Sequence, residues 1–360
     1  MNPISYVANF EDVYDPPNGS IDSNLTSYIV EPGVLPCEAL QLVSSVAVAL
    51  CLIQIGIFLL AIPGNLLVGL VIASKWQTLT PSEMYLFHLT VADGLLALTL
   101  PFWAVSAIHG WIFGDFLCKA LNLCIEANFY TSILFLACIS VDRYVVIVHA
   151  HEANKDRHRS YSRVVCASVW VLGCALALPA LFNDAFKPEY ESNRVICYER
   201  YDIGSAISWR LTVRGVRHVV GFVLPLVVMV TCYSITIVKL LHTRGFQKHR
   251  AMQVIVVVVL AFLLCWTPYH LVLMTDTLLR AGMVTFNCSV RRSVNLALHV
   301  THSVALVHSF VNPVLYAFVG QKFRKNLGRL IQRKMRQDRN SMSRFSRSTS
   351  QTSEGNGSLL

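Results

Sequence analysis

The sequence alternates between long apolar runs and short polar connections, and seven of the runs are long enough to cross a lipid bilayer. A stretch of at least about 18 predominantly apolar residues predicts a membrane-spanning helix. The seven runs cover approximately residues 43–73, 82–106, 116–148, 162–182, 209–241, 250–279 and 294–318. The pattern therefore predicts an all-α membrane protein whose seven-transmembrane helix bundle occupies residues 41–319.

The composition agrees with this prediction and excludes a soluble protein. Of the 360 residues, 54% are hydrophobic and 14% are charged, whereas a soluble domain contains about 25% charged residues. Several of the apolar runs contain proline, which a membrane helix tolerates because neighbouring helices satisfy the freed backbone groups.

The distribution of charge predicts the orientation of the bundle. Residues 1–40 contain six acidic residues and no Lys or Arg, whereas residues 320–360 contain ten Lys and Arg. Because cytoplasmic segments carry excess positive charge, we expect a multi-pass protein of the plasma membrane with an extracellular N-terminus. The net charge of +9 then lies mainly at the cytoplasmic face, where it suits anionic membrane lipid, and nucleic-acid binding is not expected.

The segment before the bundle, residues 1–40, is predicted to be an acidic extracellular tail. Asn18 and Asn24 each begin an Asn-X-Ser/Thr triplet, the acceptor pattern for N-glycosylation. Both are predicted to carry glycans.

Two different segments follow the bundle. Residues 320–331 place Phe323, Leu327 and Leu330 on one helical face, a pattern typical of an amphipathic helix on the membrane surface. Residues 332–360 are basic and rich in Ser and Thr, which predicts a disordered cytoplasmic tail.

The eleven cysteines divide by location, and four of them lie on the predicted extracellular side: Cys37, Cys118, Cys197 and Cys288. Four cysteines permit three pairings. Local topology favours Cys118–Cys197, which joins the outer end of the third span to the second outer connection and leaves Cys37–Cys288. Free thiols are the alternative, although this compartment is oxidising.

Charged residues also occur inside the spans, at Asp93, at Glu126 and at the Asp142-Arg143 pair. A charged side chain at the centre of a bilayer costs roughly 2.5–3.5 kcal/mol, so each of these positions predicts a functional role.

The sequence features around these charges indicate which class of membrane protein this is. Inverted repeats with paired broken helices are typical of a transporter, and a ring of filter groups is typical of a channel. The sequence has neither pattern. Isolated polar residues such as Ser132 and His308 are more typical of interhelical hydrogen bonds than of a catalytic dyad. A receptor is therefore the favoured class, and enzymatic activity is not expected.

Seven short motifs fall one per predicted span and in order. They are Gly64-Asn65, Leu89–Asp93, Asp142-Arg143-Tyr144, Trp170, Pro225 with Tyr233, Cys265–Tyr269 and Asn312–Tyr316. With these motifs the chain resembles a rhodopsin-like (class A) G protein-coupled receptor over nearly its whole length.

Longer segments narrow the resemblance. The segments TLPFWA, WIFGDFLCK, ACISVDRY, QKHRAMQVI, FLLCWTPYHLVL and GQKFR are similar to those of CXC chemokine receptors, in particular the interleukin-8 receptor type. This resemblance implies a receptor for CXC chemokines that bear Glu-Leu-Arg. It also implies activation of a heterotrimeric G protein of the inhibitory class, which drives leukocyte chemotaxis. A rhodopsin-like receptor for another peptide and a non-signalling, chemokine-scavenging receptor are the alternatives.

The resemblance assigns coupling and switching roles to eight residues: Asp142, Arg143, Tyr144, Tyr233, Trp266, Asn312, Pro313 and Tyr316. Arg143 lies where the third span meets the cytoplasm, and Asp142 is placed to pair with it at rest.

A buried sodium ion is the one cofactor that the resemblance implies. Asp93, Asn128, Ser132 and Asn312 correspond to the sodium site of the family, and a pocket of oxygen atoms around a carboxylate suits a hard cation. A protonated, hydrogen-bonded Asp93 is the alternative interpretation.

Two pairs of charged residues, each four positions apart, are candidates for the ligand site. Arg210 and Arg214 share a helical face at the outer end of the fifth span, and Asp276 and Arg280 repeat this spacing on the sixth. These ends are neighbours in a seven-helix bundle. By resemblance, the Glu of the ligand pairs with one of the arginines and its Arg pairs with Asp276.

The two tails complete the expected partners. Glu11, Asp12 and Asp15 surround Tyr14, a context suited to sulfation, and this acidic segment is expected to attract a basic chemokine. Receptor kinases and arrestin are expected at six positions of the C-terminal tail: Ser346, Ser348, Thr349, Ser350, Thr352 and Ser353.

The sequence also departs from the family at two positions inside the bundle. Arg217 adds a positive charge to the fifth span where interleukin-8 receptors are apolar. His302 stands where many chemokine receptors carry a glutamate.

Overall fold

A computed structural model describes residues 44–149, 155–187, 194–200, 206–241, 246–281, 283, 287–319, 323–332 and 335. Within these residues, seven spans are long and apolar enough to cross a membrane, which confirms the predicted fold class. The helices are α1 (Ser44–Ala73), α2 (Pro81–His109), α3 (Gly114–Val148), α4 (Lys155–Ala177), α5 (Ala206–His218), α6 (Leu224–Leu241), α7 (Phe246–Arg280), α8 (Cys288–Leu306), α9 (His308–Val319) and α10 (323–332). Single turns of 3₁₀-helix cover Trp76–Thr78 and Leu178–Phe182.

Two of the spans are built from two helices each. A π-helical turn, Val219–Val223, joins α5 to α6 in the fifth span, and α8 gives way to α9 at Val307 in the seventh span. The seventh span begins at Cys288 because the Asn287 side chain caps it, with Asn287 Oδ1 accepting a hydrogen bond from Ser289 N at 2.9 Å. The apolar run alone placed this start at residue 294.

The hydrophobic core lies around α3, which packs against α2, α4 and α6. Phe129, Phe135 and Leu136 of this helix are fully buried, and Phe262 and Trp266 of α7 are buried in the same cluster. Leucines such as Leu66 and Leu264 instead face outward from the bundle. This inverted distribution is the one expected for helices surrounded by lipid.

A β-hairpin closes over the outer end of the bundle. Strands β1 (Asn183–Phe186) and β2 (Ile196–Glu199) pair antiparallel, and the predicted disulfide Cys118–Cys197 joins β2 to the start of α3. Gly110 has a φ of 78°, and a Cβ there would lie 2.9 Å from Val195 O. Only glycine suits this conformation and this close approach, which lets Trp111 N donate a hydrogen bond to Val195 O at 2.8 Å.

The second predicted disulfide is described at one end. Cys288 is disulfide-bonded, and its expected partner Cys37 lies outside the described residues. The proposed contacts and modifications of the two tails also lie outside them: Glu11, Asp12, Tyr14, Asp15, Asn18, Asn24, Ser346, Ser348, Thr349, Ser350, Thr352 and Ser353.

The amphipathic helix predicted at residues 320–331 is described as α10. Phe323 packs against the core cluster, and Leu327 and Leu330 are also half-buried, whereas Arg324 and Arg329 are exposed. The apolar face predicted from the sequence is therefore the half-buried face of α10.

A packing test follows from the contact between α4 and α3. A Cβ at Gly173 would lie 2.5 Å from Thr131 Cγ2, and Thr131 is fully buried. Gly173→Ala should therefore destabilise the protein by about 1–3 kcal/mol through overpacking, measured as a lower midpoint of thermal unfolding in detergent. Gly56→Ala is the matched control, since nothing lies within 4 Å of that Cβ position. An equal midpoint in the two variants would contradict the close approach of the helices.

Candidate functional site

Five charged residues at the end of the bundle that the β-hairpin closes form a network that we call the outer cluster: Glu199, Arg210, Arg214, Asp276 and Arg280. Arg214 Nη1 donates to Asp276 Oδ2 at 2.6 Å, and Arg280 Nε donates to the same oxygen at 2.8 Å. Asp276 is almost completely buried, so the two guanidiniums compensate a carboxylate that water cannot reach.

Glu199 at the end of β2 supplies the second carboxylate of the outer cluster. Its Oε2 lies 3.5 Å from Arg210 Nε and 3.8 Å from Arg214 Nη2. The structure thus brings together the four ligand-site residues predicted within the bundle and adds Glu199, which sequence reasoning missed. Three guanidiniums against two carboxylates leave the outer cluster with a net positive charge.

A second ion pair lies deeper in the bundle and joins α3 to α5. Arg217 Nη1 donates to Glu126 Oε1 at 2.7 Å. The guanidinium lies 5.1 Å from the centre of the Phe129 ring and 5.2 Å from that of Tyr269, both within cation–π distance. The sequence identified both charges as unusual, and the structure shows that they compensate each other. We call these two residues the inner pair.

Aromatic rings continue inward from the inner pair to Trp266. The Trp266 ring lies 4.6 Å from Phe129 and 5.9 Å from Tyr269. On its other side it lies 5.5 Å from His308. His302, the second departure from the family, lies 5.3 Å from Tyr269.

The four residues predicted for a sodium site surround one buried carboxylate. Asn312 Nδ2 donates to Asp93 Oδ2 at 2.8 Å, and Asn128 Nδ2 and Ser132 Oγ each lie 3.4 Å from Asp93 Oδ1. His308 Nε2 lies 3.5 Å from the same Oδ1, a contact that sequence reasoning did not predict.

The oxygen atoms of this cluster suit a small hard cation. Asn128 Oδ1 and Asn312 Oδ1 are buried and accept no hydrogen bond within the described part of the chain. Together with Asp93 and Ser132 they offer carboxylate, amide and hydroxyl ligands. Within the described residues, neither this cluster nor any other contains three or more His, Cys, Asp or Glu side chains arranged to hold a metal ion.

The end of the bundle opposite the β-hairpin holds the Asp142-Arg143 pair. Arg143 Nη2 donates to Asp142 Oδ2 at 2.6 Å, as expected, and Arg143 Nε donates to Ser82 Oγ at 2.9 Å. Ser82 also donates to Asp142, so this α2 hydroxyl bridges both members of the pair. The Arg143 side chain remains 20% exposed. Sequence reasoning missed Ser82, because a single serine carries no signal of its own.

The remaining predicted switch residues lie between these two ends. Tyr233 is buried and accepts a hydrogen bond from Ser140 at 2.8 Å, and Tyr316 is buried near the end of the seventh span. Pro313 packs closely against α1, since a Cβ at Gly64 would lie 3.0 Å from its Cγ. Tyr144 faces away from the core, and its hydroxyl lies 3.3 Å from His149 Nε2.

Comparison with known proteins places this architecture in a family. Residues 64–316 match the 7 transmembrane receptor (rhodopsin family). The chain is 43% identical over 326 residues to C-X-C chemokine receptor type 2 of Oryctolagus cuniculus, which covers 90% of this chain and 89% of that receptor. It is 42% identical over 329 residues to the type 2 receptor of Homo sapiens, covering 90% and 89% of the two chains.

The type 1 receptors are similarly related. The chain is 45% identical over 276 residues to C-X-C chemokine receptor type 1 of Macaca mulatta, covering 76% of this chain and 78% of that receptor. This family consists of multi-pass membrane receptors at the cell surface that signal rather than catalyse. With these matches and seven spans arranged around α3, the chain belongs to the rhodopsin family of seven-transmembrane receptors and, within it, to the C-X-C chemokine receptors.

Proposed function

We propose that this receptor binds CXC chemokines bearing Glu-Leu-Arg at its extracellular end and activates a heterotrimeric G protein of the inhibitory class, driving leukocyte chemotaxis. The N-terminus then lies outside the cell. The observation that carries the proposal is the placement of two ion-pair networks at opposite ends of the bundle: the outer cluster and the Asp142–Arg143–Ser82 contact.

The outer cluster supports the choice of ligand. Its arginines come from α5 and α7, and Glu199 comes from the hairpin, so a ligand segment entering between these elements meets both signs of charge. A planar guanidinium suits a carboxylate, and Asp276 suits a guanidinium. A ligand segment with Glu and Arg close together is therefore complementary to this site. The acidic N-terminal tail, including Tyr14, is proposed to make the first contact with a basic chemokine.

The cytoplasmic contact supports the choice of transducer. Arg143 is held at rest by one carboxylate and one hydroxyl, and a fifth of its side chain still faces outward. Among the residues from Leu240 to Thr275 there is no Asp or Glu, so α7 has no acid with which to hold Arg143. Weakening the Asp142 and Ser82 contacts is then enough to let the guanidinium meet a G protein.

Other partners are proposed with this function. A sodium ion is proposed at Asp93, Asn128, Ser132 and Asn312, where the carboxylate, hydroxyl and amide oxygens fit it. Receptor kinases and arrestin are proposed to act on the Ser/Thr-rich tail. Membrane lipid is proposed to contact α10, whose exposed face carries Arg324, Lys325 and Arg329.

The role of Arg143 can be tested by two changes with opposite effects. Arg143→Ala should abolish agonist-driven nucleotide exchange and leave chemokine affinity within a few-fold, because the residue lies far from the extracellular end. Ser82→Ala should raise basal exchange by about two- to tenfold, because it removes a hydrogen bond that holds Arg143 at rest.

The control for this pair is Ser74→Ala, since the hydroxyl of Ser74, which follows α1, donates only to Val71 O of that helix. Basal exchange should stay at the wild-type level in this variant. Normal agonist-driven exchange in Arg143→Ala would contradict the proposed coupling role.

The ligand preference can be tested at the outer cluster. Arg214→Ala and Asp276→Ala should each weaken activation by Glu-Leu-Arg chemokines by at least about tenfold, because each removes one side of a buried ion pair. Chemokines without the triplet should lose less. Activation would be measured as calcium release across a chemokine panel, with the exposed Arg292→Gln of α8 as the charge-matched control. Equal losses for both ligand classes would rule out recognition of the triplet here.

A further inference from the structure

Three arginines of the fifth span lie on one face at successive depths. Arg210, Arg214 and Arg217 have the spacing i, i+4, i+7, which places them on the same side of a helix. At about 1.5 Å per residue, the series descends about 10 Å from the outer end of the bundle. The first two belong to the outer cluster, and the third lies deeper in the bundle on the same helix face.

The guanidinium of Arg217 has one edge that makes no contact with an acceptor. Nη1 donates to Glu126, whereas Nε and Nη2 are buried and donate no hydrogen bond within the described part of the chain. Nε and Nη2 together form the side of the planar fork that binds both oxygens of a carboxylate. Two unsatisfied donors on one cation are costly in a buried site, so this edge is suited to an acceptor from outside the chain.

The surroundings of Arg217 fix this edge in place. The Phe129 and Tyr269 rings hold the guanidinium from α3 and α7, and Glu126 holds one nitrogen. The Arg217 side chain is 12% exposed and that of Glu126 is 22% exposed, but Nε and Nη2 themselves are covered, so a carboxylate reaches them only when neighbouring side chains shift. Since the environment is low in dielectric, a charge-assisted hydrogen bond made here is stronger than one made at the surface.

We propose that the Nε and Nη2 edge of Arg217 binds a carboxylate carried by a ligand that enters the bundle past the outer cluster. Arg214 is already paired with Asp276 and lies near Glu199, so a carboxylate arriving there competes with two internal acids. At Arg217 it meets an edge that Glu126 does not use. This site is distinct from the outer cluster and depends on a residue that interleukin-8 receptors lack.

The test uses a small acid and its neutral analogue. Thermal unfolding of the purified full-length receptor is followed with millimolar 3-phenylpropionate or 3-phenylpropanamide. The acid should raise the midpoint by about 2 °C more than the amide. This difference should vanish in the double variant Glu126→Gln/Arg217→Gln. The double change is used because it leaves no unpaired buried charge. The difference should persist in the control variant Arg292→Gln. Equal effects of acid and amide on the wild type, or the full difference in the double variant, would overturn the proposal.

A second variant tests the sign of the effect. Glu126→Gln removes the internal carboxylate and leaves Arg217 in place, so the acid should bind several-fold more tightly than to the wild type. A residue with a merely structural role would not give this gain. Weaker binding of the acid to Glu126→Gln would count against the proposal.

A separate experiment with chemokine variants identifies the source of the carboxylate. This experiment rests on the proposed function. A Glu-Leu-Arg chemokine is given a single Glu or Gln at each of the three positions that precede the triplet. If a chemokine side chain is the source, Glu should bind about tenfold more tightly than Gln at one position, and Arg217→Gln should abolish this advantage. Equal affinities, with a positive result for the small acid, assign the site to a free organic acid. A receptor that binds the acid and no chemokine would refute the proposed function alone.

Discussion

The arrangement of this receptor depends on compensating a few charged and polar groups inside an apolar bundle. A lone charge at this depth costs several kcal/mol, so helices must rotate until each group meets a partner. Four contacts do this across different pairs of helices: Arg217–Glu126 between α5 and α3, Arg214–Asp276 between α5 and α7, Asn312–Asp93 between α9 and α2, and Arg143–Ser82 between α3 and α2. Lipid gives no hydrophobic force between helices, and these contacts therefore specify which faces meet.

Most of the fold could be predicted from the sequence because lipid imposes a length and an apolar composition on every span. The predictions failed where polar residues lie inside a helix. The seventh span begins at Cys288, six residues before its apolar run, since Arg291 and Arg292 interrupt the run without interrupting the helix. The π-helical turn Val219–Val223 has no counterpart in the hydrophobic pattern, because it changes the hydrogen bonding and not the residue types.

The candidate site was predictable where a motif places a residue on a known helix face, and less so where a partner comes from a loop. Asp93 and its three polar neighbours were expected together. Glu199 was not expected at the outer cluster, because its position depends on the register of β1 and β2, which pairs Asn183 with Glu199. Glu126 and Arg217 were each identified as unusual charges, but their pairing depends on the relative rotation of two helices. The i, i+4, i+7 spacing of the arginines was a signal present in the sequence.

The contacts between the two ends are made by rings, and this bears on how a ligand acts at a distance. Phe129 lies 4.6 Å from Trp266, Trp266 lies 5.5 Å from His308, and His308 lies 3.5 Å from Asp93. A ligand shifts a conformational equilibrium only by the difference between its affinities for the two states. A group bound at the outer cluster touches residues at the rim of α5 and α7, whose mutual ion pairs hold them in place. A group that reaches Arg217 instead adjoins Phe129, the first ring of this series. Under the proposed function, a ligand that reaches Arg217 would therefore contact this series directly, whereas a ligand that stays at the outer cluster would not.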